Sequence, residues 1–427
     1  MQTASKKVIN GWAMYDWANS VYSLVITTTF FPAYYALMTA PTTEKFKDGV
    51  PFLGRTFVNT ELKDYFFSAA YIIIIIISPI LSSVADYRGN KKAFMRAFCY
   101  LGAACCSLMF FFDGDNVLFG LFMLLMACIG FYGSQVFYNS YLPEIAAPAD
   151  QNRVSARGYT FGYIGSVLMQ MIGFGMVILM PDSTLPLKLS FLLVGLWWVG
   201  FAQIAFARLP EGNKRLGEQK KALSNGFVEL KKVATQLRHM PVLKRFLAAF
   251  LFYSMGVQTV MLVATDFGIK ELKLDSSTLI LVLVVIQLVA IVGALVMSRL
   301  SNRIGNINVL AVTVLLWICA CIAGYYMQTA THFYMLASLV GLVMGGIQSV
   351  SRSTYSKYMP PTKDTASFFS FYDITEKLAI VIGVASFGFI EGVTHSMRNS
   401  ILALIVFFVL GFICLLLTGQ ALKRQTI

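Results

Sequence analysis

An all-α membrane protein of twelve transmembrane helices, arranged as two pseudo-symmetric six-helix bundles, is the fold class predicted by these 427 residues. Three observations predict it: the composition, the spacing of apolar runs and an internal repeat. Only 13% of the residues are charged and 57% are hydrophobic, against about 25% charged in an average soluble domain. The mean hydropathy is +0.68. One or two soluble cores could not bury that much apolar side chain, so lipid must solvate much of the surface.

A bilayer core takes about 20 apolar residues per helix. Runs of that order lie at residues 8–38, 62–85, 93–112, 117–141, 159–180 and 187–207, and again at 246–269, 279–300, 309–327, 333–355, 366–390 and 401–420. The run Ile72 to Ile77 has strand propensity, but within lipid a helix satisfies its backbone where a lone strand could not. A polar stretch, 208–245, divides the chain into halves 1–207 and 246–427. Within it Leu223, Phe227, Leu230, Val233 and Leu237 recur at helical spacing with Lys231, Lys232 and Arg238 off the stripe, which predicts an amphipathic helix lying on the cytoplasmic leaflet.

The repeat supports two homologous halves. Asp86-Tyr87-Arg88-Gly89-Asn90 follows the second run and Asn302-Arg303-Ile304-Gly305-Asn306 follows the eighth, about half the chain later. Gly133-Ser134-Gln135 and Gly346-Ile347-Gln348 match at nearly the same offset, near the ends of the fourth and tenth runs. Duplicated bundles commonly enclose a midplane site between them.

The net charge of +13 does not indicate nucleic acid. The basic residues sit in short segments between apolar runs: Lys6 and Lys7; Arg88, Lys91, Lys92 and Arg96; Arg153 and Arg157; Arg299 and Arg303; Lys357 and Lys363; Lys423 and Arg424. All fall on one side of the predicted topology, which places both termini in the cytoplasm by the positive-inside rule. Short loops without an Asn-x-Ser/Thr acceptor point to a bacterial inner membrane rather than a vacuole. Lys6 and Lys7 precede a stretch too long and aromatic for a signal peptide, with Asp16 inside it. The seven cysteines lie in apolar runs without flanking histidines and read as buried free thiols, with no metal site or disulfide.

A charge at a span centre costs about 2.5–3.5 kcal/mol on insertion scales, so it normally faces a cavity or a partner. Asp16 lies roughly 12 Å into the first run, with Trp12 and Asn19 or Ser20 on the same face. Gln348 and Arg352 align in the tenth run, and Asp373, Glu376 and Lys377 align in the eleventh. These groups have three readings: they bind a charged or zwitterionic solute, carry a coupling proton on Asp16 or Glu376, or form static or gating ion pairs such as Asp373 with Lys377. Tyr159, Tyr163 and Tyr372 are possible solute contacts. Gly158, Gly162 and Gly165 are placed to let helices approach closely.

The turn Asp86 to Lys92 resembles the signature loop of the major facilitator superfamily, although Ser82 replaces the usual glycine and Asn302 replaces the acid in the second copy. A narrower resemblance rests on Gly11-Trp12-Ala13-Met14-Tyr15-Asp16-Trp17-Ala18-Asn19-Ser20, Gly256-Val257-Gln258-Thr259, Gly345-Gly346-Ile347-Gln348 with Ser351-Arg352-Ser353, and Phe368-Phe369-Ser370-Phe371-Tyr372 leading to Lys377. On these the chain is similar to the vacuole-effluxer-like family. Met255 stands where that family often has an acid. The resemblance implies a secondary transporter that moves a small polar solute, such as an amino acid, by alternating access and in the outward direction. It also implies a cavity lined by the first, fourth, seventh and tenth spans. Asp16, Asn19, Gln135, Asn139, Gln258, Thr259, Gln348, Arg352, Glu376 and Lys377 are then candidates for binding or coupling, and Asp86, Arg88, Arg303 and Asp373 for gating.

The expected partners are a small-molecule substrate, the bilayer and a coupling proton; no cofactor is expected, and a monomer is. An exporter of peptides, glycan fragments or drugs is the alternative within transport. A lipid scramblase or membrane-embedded enzyme is the alternative outside it, but clustered histidines, a nucleophile elbow and a phosphate loop are missing from the sequence.

Overall fold

The chain is seen in a computed structural model, which describes residues 2–40, 46–181, 184–212, 222–274 and 276–425. Twelve helices in this part are long and apolar enough to cross a membrane. The first six are Lys6–Met38, Asn59–Arg88, Lys91–Phe111, Val117–Ile145, Gln151–Leu179 and Leu185–Arg208. The second six are Pro241–Lys270, Leu281–Ile304, Asn306–Tyr326, Ala330–Tyr358, Thr365–Thr394 and Met397–Arg424. They are called the first to twelfth spans below.

Two apolar cores correspond to the two sets. Trp12, Phe31, Met109, Leu121 and Trp198 belong to one, and Phe246, Val314, Trp317, Phe408 and Leu415 to the other. The sets meet where the second span packs on the eleventh and the fifth on the eighth. Both repeated turns place a glycine at positive φ, Gly89 at 64° and Gly305 at 88°, which glycine enters at no steric cost, but their ψ angles differ, 33° against 151°.

The isoleucine run is helical, with Ile74 buried while Ile72 and Ile76 face outward. The first span is not uniform. Between Lys6–Val21 and Phe31–Met38 its nine residues Tyr22–Phe30 form π-helix. There Thr27, Thr28 and Thr29 each donate a hydroxyl to the carbonyl five residues back, at 3.2, 2.9 and 2.9 Å. Pro32 follows, and its ring excludes an ordinary α-turn against the carbonyl four residues earlier; a widened turn accommodates it. A two-stranded hairpin, Val50–Phe52 against Arg55–Phe57, sits on the opposite side from the termini.

The amphipathic helix of the central segment is present as Ala222–Arg238, but its apolar stripe does not await lipid. Val233 and Leu237 are buried in the second core, and the helix packs against the second span. Lys232 reaches Asp364 at 3.4 Å. Protein surface covers Val233 and Leu237, which corrects the expected placement of this end of the stripe on the leaflet; the side chains of Leu223 and Phe227 lie outside the described residues. The cysteines are all free, but Cys319 is exposed on the outer face of the ninth span, so burial does not hold for all seven. Beyond the spans, Asp150 accepts from the Thr3 hydroxyl at 2.6 Å and from Arg153 at 2.8 Å. These bonds, the first foremost, hold its carboxyl below the usual range.

Candidate functional site

Three layers of polar contacts lie between the halves, starting from the side that bears the termini. The outermost gathers around Asp86, at the end of the second span. Its carboxylate accepts from the backbone N–H groups of Ala366 and Ser367 at 3.2 and 2.7 Å, and from the Ser367 hydroxyl at 2.8 Å. The eleventh span begins at Thr365, and its own N-cap residue, Asp364, makes no side-chain cap. The first half thus supplies the acceptor that the free N–H groups of this helix end require, and its negative charge sits at the positive end of the helix dipole. Beside it Lys91 pairs with Glu144 and donates to Thr365 at 3.3 Å, and Thr365 donates to Glu144 at 2.7 Å.

The second copy of the turn joins the halves through side-chain amides instead of a capped helix end. Asn152, at the start of the fifth span, donates to Asn302 at 2.8 Å and Asn306 at 2.9 Å, and Lys357 donates to Asn306 at 3.2 Å. The second and eighth spans therefore each end against the first turn of a helix from the other half, through Asp86 in one case and Asn302 in the other. Arg88 is half-buried and Arg303 exposed; the structure brings neither into these hydrogen bonds.

The middle layer is an ion pair between the halves. Arg352 of the tenth span donates to Asp16 of the first at 3.2 Å, and both side chains are nearly inaccessible at 2% and 6% exposure. Arg352 also donates to Asn139 at 3.2 Å, to Ser155 Oγ at 3.0 Å and to the Ser155 carbonyl at 2.8 Å. Its guanidinium lies over the rings of Tyr159 and Trp12, at 4.2 and 4.8 Å from their centres. Asp16 accepts from Tyr138 at 2.6 Å. The geometry depends on Gly158, where an added Cβ would stand 2.8 Å from Arg352 Nη2 and 2.9 Å from Tyr138 Oη, and closer still to Asp16. Gly162 and Gly165 bring the fifth span equally close to Ser20 and Trp17. Gly158→Val is therefore expected to lower stability by about 1–3 kcal/mol, the usual cost of overpacking, seen as a depressed midpoint of thermal unfolding in detergent; Gly175→Val on the same helix, where a Cβ meets nothing within 4 Å, should leave it unmoved.

The innermost layer surrounds a small cavity. The seventh span contributes Phe250, Tyr253, Ser254, Val257 and Gln258, the tenth Ile347, Gln348 and Ser351, the eleventh Tyr372 and Glu376, and the fifth Tyr159. Glu376 lies roughly 16 Å from the start of its helix by the helical rise, close to half the bilayer. It accepts from Gln258 at 3.1 Å and from Lys377 at 3.0 Å. Lys377 also donates to Asp373 at 2.5 Å and sits 4.1 Å from the ring centre of Tyr132. Gln348 accepts from Tyr163 at 2.8 Å.

Of the sequence candidates, Gln258, Gln348 and Glu376 line the cavity, with Lys377 and Asp373 immediately behind it. Asp16, Asn139 and Arg352 form the layer below. Gln135 is half-buried on the fourth span, while Asn19 is fully buried. Thr259 points at Gly383 of the eleventh span rather than into the cavity. Sequence reasoning missed Phe250, Tyr253, Ser254 and Ser351. A signal existed: Phe250, Tyr253, Ser254, Val257 and Gln258 follow the three-and-four spacing of one helix face, as do Gln348, Ser351 and Arg352.

Further hydrogen bonds between the halves, Ser83 with Ser367 and the Ser155 hydroxyl to the Ser349 carbonyl, lie in or beside these layers.

The model of the family described as "Vacuole effluxer Atg22 like" matches residues 4–426. An uncharacterized major-facilitator-type transporter of Bacillus subtilis, YxiO, is 31% identical over 95% of this chain and 93% of its own. Autophagy-related protein 22-1 of Penicillium rubens is 23% identical over 90% of this chain and 85% of its own. The human organic anion transporter MFSD10 superposes with a TM-score of 0.71 at 13% identity, covering 96% of this chain and 98% of that one, a likeness of fold. The twelve spans, the paired halves and these relatives together identify the chain as a multi-pass membrane transporter of the major facilitator superfamily, belonging to the vacuole effluxer Atg22-like family.

Proposed function

We propose that the chain moves a small polar solute through the cavity beside Glu376 by alternating access. The halves rock so that the three polar layers part as the opposite side closes. The observation that carries this reading is a polar cavity at half depth whose floor is made by bonds between the halves rather than within them. Such bonds can be exchanged without unfolding either bundle.

An amino acid is the solute class favoured by the family, whose description names effluxers. Gln258, Gln348 and Ser351 offer donors and acceptors for it. Outward movement follows from the same resemblance, and the basic residues on the termini side put that side in the cytoplasm.

The test is uptake of a pooled amino-acid panel into proteoliposomes with and without an imposed proton gradient, comparing native protein with Asp16→Asn and Glu376→Gln. Gradient-dependent uptake reduced at least tenfold by Glu376→Gln is expected. Failure of the native protein to move any amino acid would refute the solute class, and uptake indifferent to both substitutions would remove these carboxylates from binding and coupling.

A further inference from the structure

The geometry points to an organic cation, a protonated amine, as the group this cavity is built to hold, with Glu376 as its counter-ion and the rings of Tyr159, Phe250, Tyr253 and Tyr372 as its wall. The inference rests on reading the cavity as the solute's site and adds the solute's chemistry to it.

Asp16 and Arg352 neutralise each other in the layer below. In the eleventh span, two carboxylates share one ammonium: Lys377 pairs with Asp373 at 2.5 Å and with Glu376 at 3.0 Å. One negative charge is left over in the middle of the bilayer, where an uncompensated charge is costly. The three side chains differ in access. Lys377 and Asp373 are 1% and 5% exposed, whereas Glu376 is 27% exposed, and it is the carboxylate that lines the cavity. Asp373 Oδ2 is itself buried without a hydrogen-bond partner, a second sign that this cluster is short of positive charge.

The cavity wall matches. Phe250 and Tyr372 stack with ring centres 4.2 Å apart, and Tyr253 stands edge-on to Phe250 at 5.6 Å. Aromatic faces beside a carboxylate attract an ammonium through the ring quadrupole as well as the charge. An anionic solute would find the opposite: both nearby cations are committed, Lys377 to its two carboxylates and Arg352 to Asp16, Asn139 and Ser155 behind the ring of Tyr159. A solute carboxylate would have to rely on the amides and hydroxyls of Gln258, Gln348 and Ser351.

The experiment uses Ser254→Cys in full-length protein held in lipid nanodiscs, with exposed Cys319 and half-buried Cys414 replaced by serine. The probes are two thiosulfonates of fixed and opposite charge, trimethylammonium-ethyl and sulfonato-ethyl. Each forms a mixed disulfide with the thiolate and releases methanesulfinate. Rates are normalised to those with a free thiol.

The cationic reagent is expected to react at least tenfold faster than the anionic one. That ratio should collapse in Glu376→Gln and persist in Glu376→Asp. Benzylammonium should protect the thiol, and benzyl alcohol, its neutral analogue, should not. Equal rates for the two reagents, or equal protection by the alcohol, would overturn the inference: the carboxylates would then share a proton in an electrically neutral cavity, and transport of a neutral solute through it would stand. No reaction with either reagent would show the cavity closed to water and overturn both the inference and the reading beneath it.

Discussion

Arg352→Ala is expected to abolish transport and to destabilise the protein by about 3–5 kcal/mol, the cost of leaving one member of a buried ion pair without its partner. The carboxylate of Asp16 would keep only the Tyr138 hydroxyl. The carbonyl of Ser155 and the amide oxygen of Asn139 would lose the donor they share. Asp16→Ala is expected to cost a similar amount, since the guanidinium would stay buried against Tyr159 and Trp12 without its counter-charge. The double substitution removes both charges and should cost well below the sum of the two, by at least about 1 kcal/mol, as coupled neighbours do. Thermal unfolding of the four proteins in one detergent gives the cycle. Additive losses would mean that the pair is not an energetic unit.

The same pair explains why a bolt between the halves can open. Desolvation cancels most of the Coulombic gain of a buried ion pair. If water enters when the halves part, Asp16 and Arg352 recover hydration as they lose each other. The floor is thus strong against loss of one partner and weak against separation of both. Trp12 stacks on Tyr138 at 4.5 Å within the first half and keeps that packing in either position.

Much of this was legible in the sequence because lipid leaves few alternatives: the twelve helices follow from run length, and the halves from the paired turns. Asp16, Gln348, Arg352, Glu376 and Lys377 stood out because an ionisable or amide group inside a span must be near a partner or a cavity. Which of the two was not legible. Asp16 and Arg352 are more than three hundred residues apart, and only tertiary packing decides that they face each other while Glu376 faces open space. The aromatic wall stayed hidden for another reason. Phe and Tyr occur throughout the spans, in belts and in cores, so Phe250 and Tyr253 acquire meaning only beside Gln258 on a shared face. The π-helical stretch of the first span was also unreadable, since it arises from Pro32 acting on three preceding threonines rather than from hydropathy.

The second large effect is expected at Asp86. Asp86→Ala removes an acceptor of three hydrogen bonds, two of them from the N–H groups at the start of the eleventh span. Hydrogen bonds to a charged group contribute about 1.5–3 kcal/mol. The bonds join the halves, so their loss disfavours the form closed on the termini side and not the bundles themselves. A shift of about 2 kcal/mol changes the ratio of the two forms roughly thirtyfold. Spin labels at exposed Lys7 and Lys363, one on each half, should report this as a new, longer distance population in Asp86→Ala. Asp86→Asn retains an acceptor oxygen and should shift less. Asn302→Asp should shift the populations the other way, because it adds a carboxylate beside Asn152 at the start of the fifth span, where the helix dipole favours it. Unchanged distances in Asp86→Ala, with unfolding temperature lowered instead, would assign Asp86 to the stability of the fold and leave the closing of this side to the ion pair beneath it.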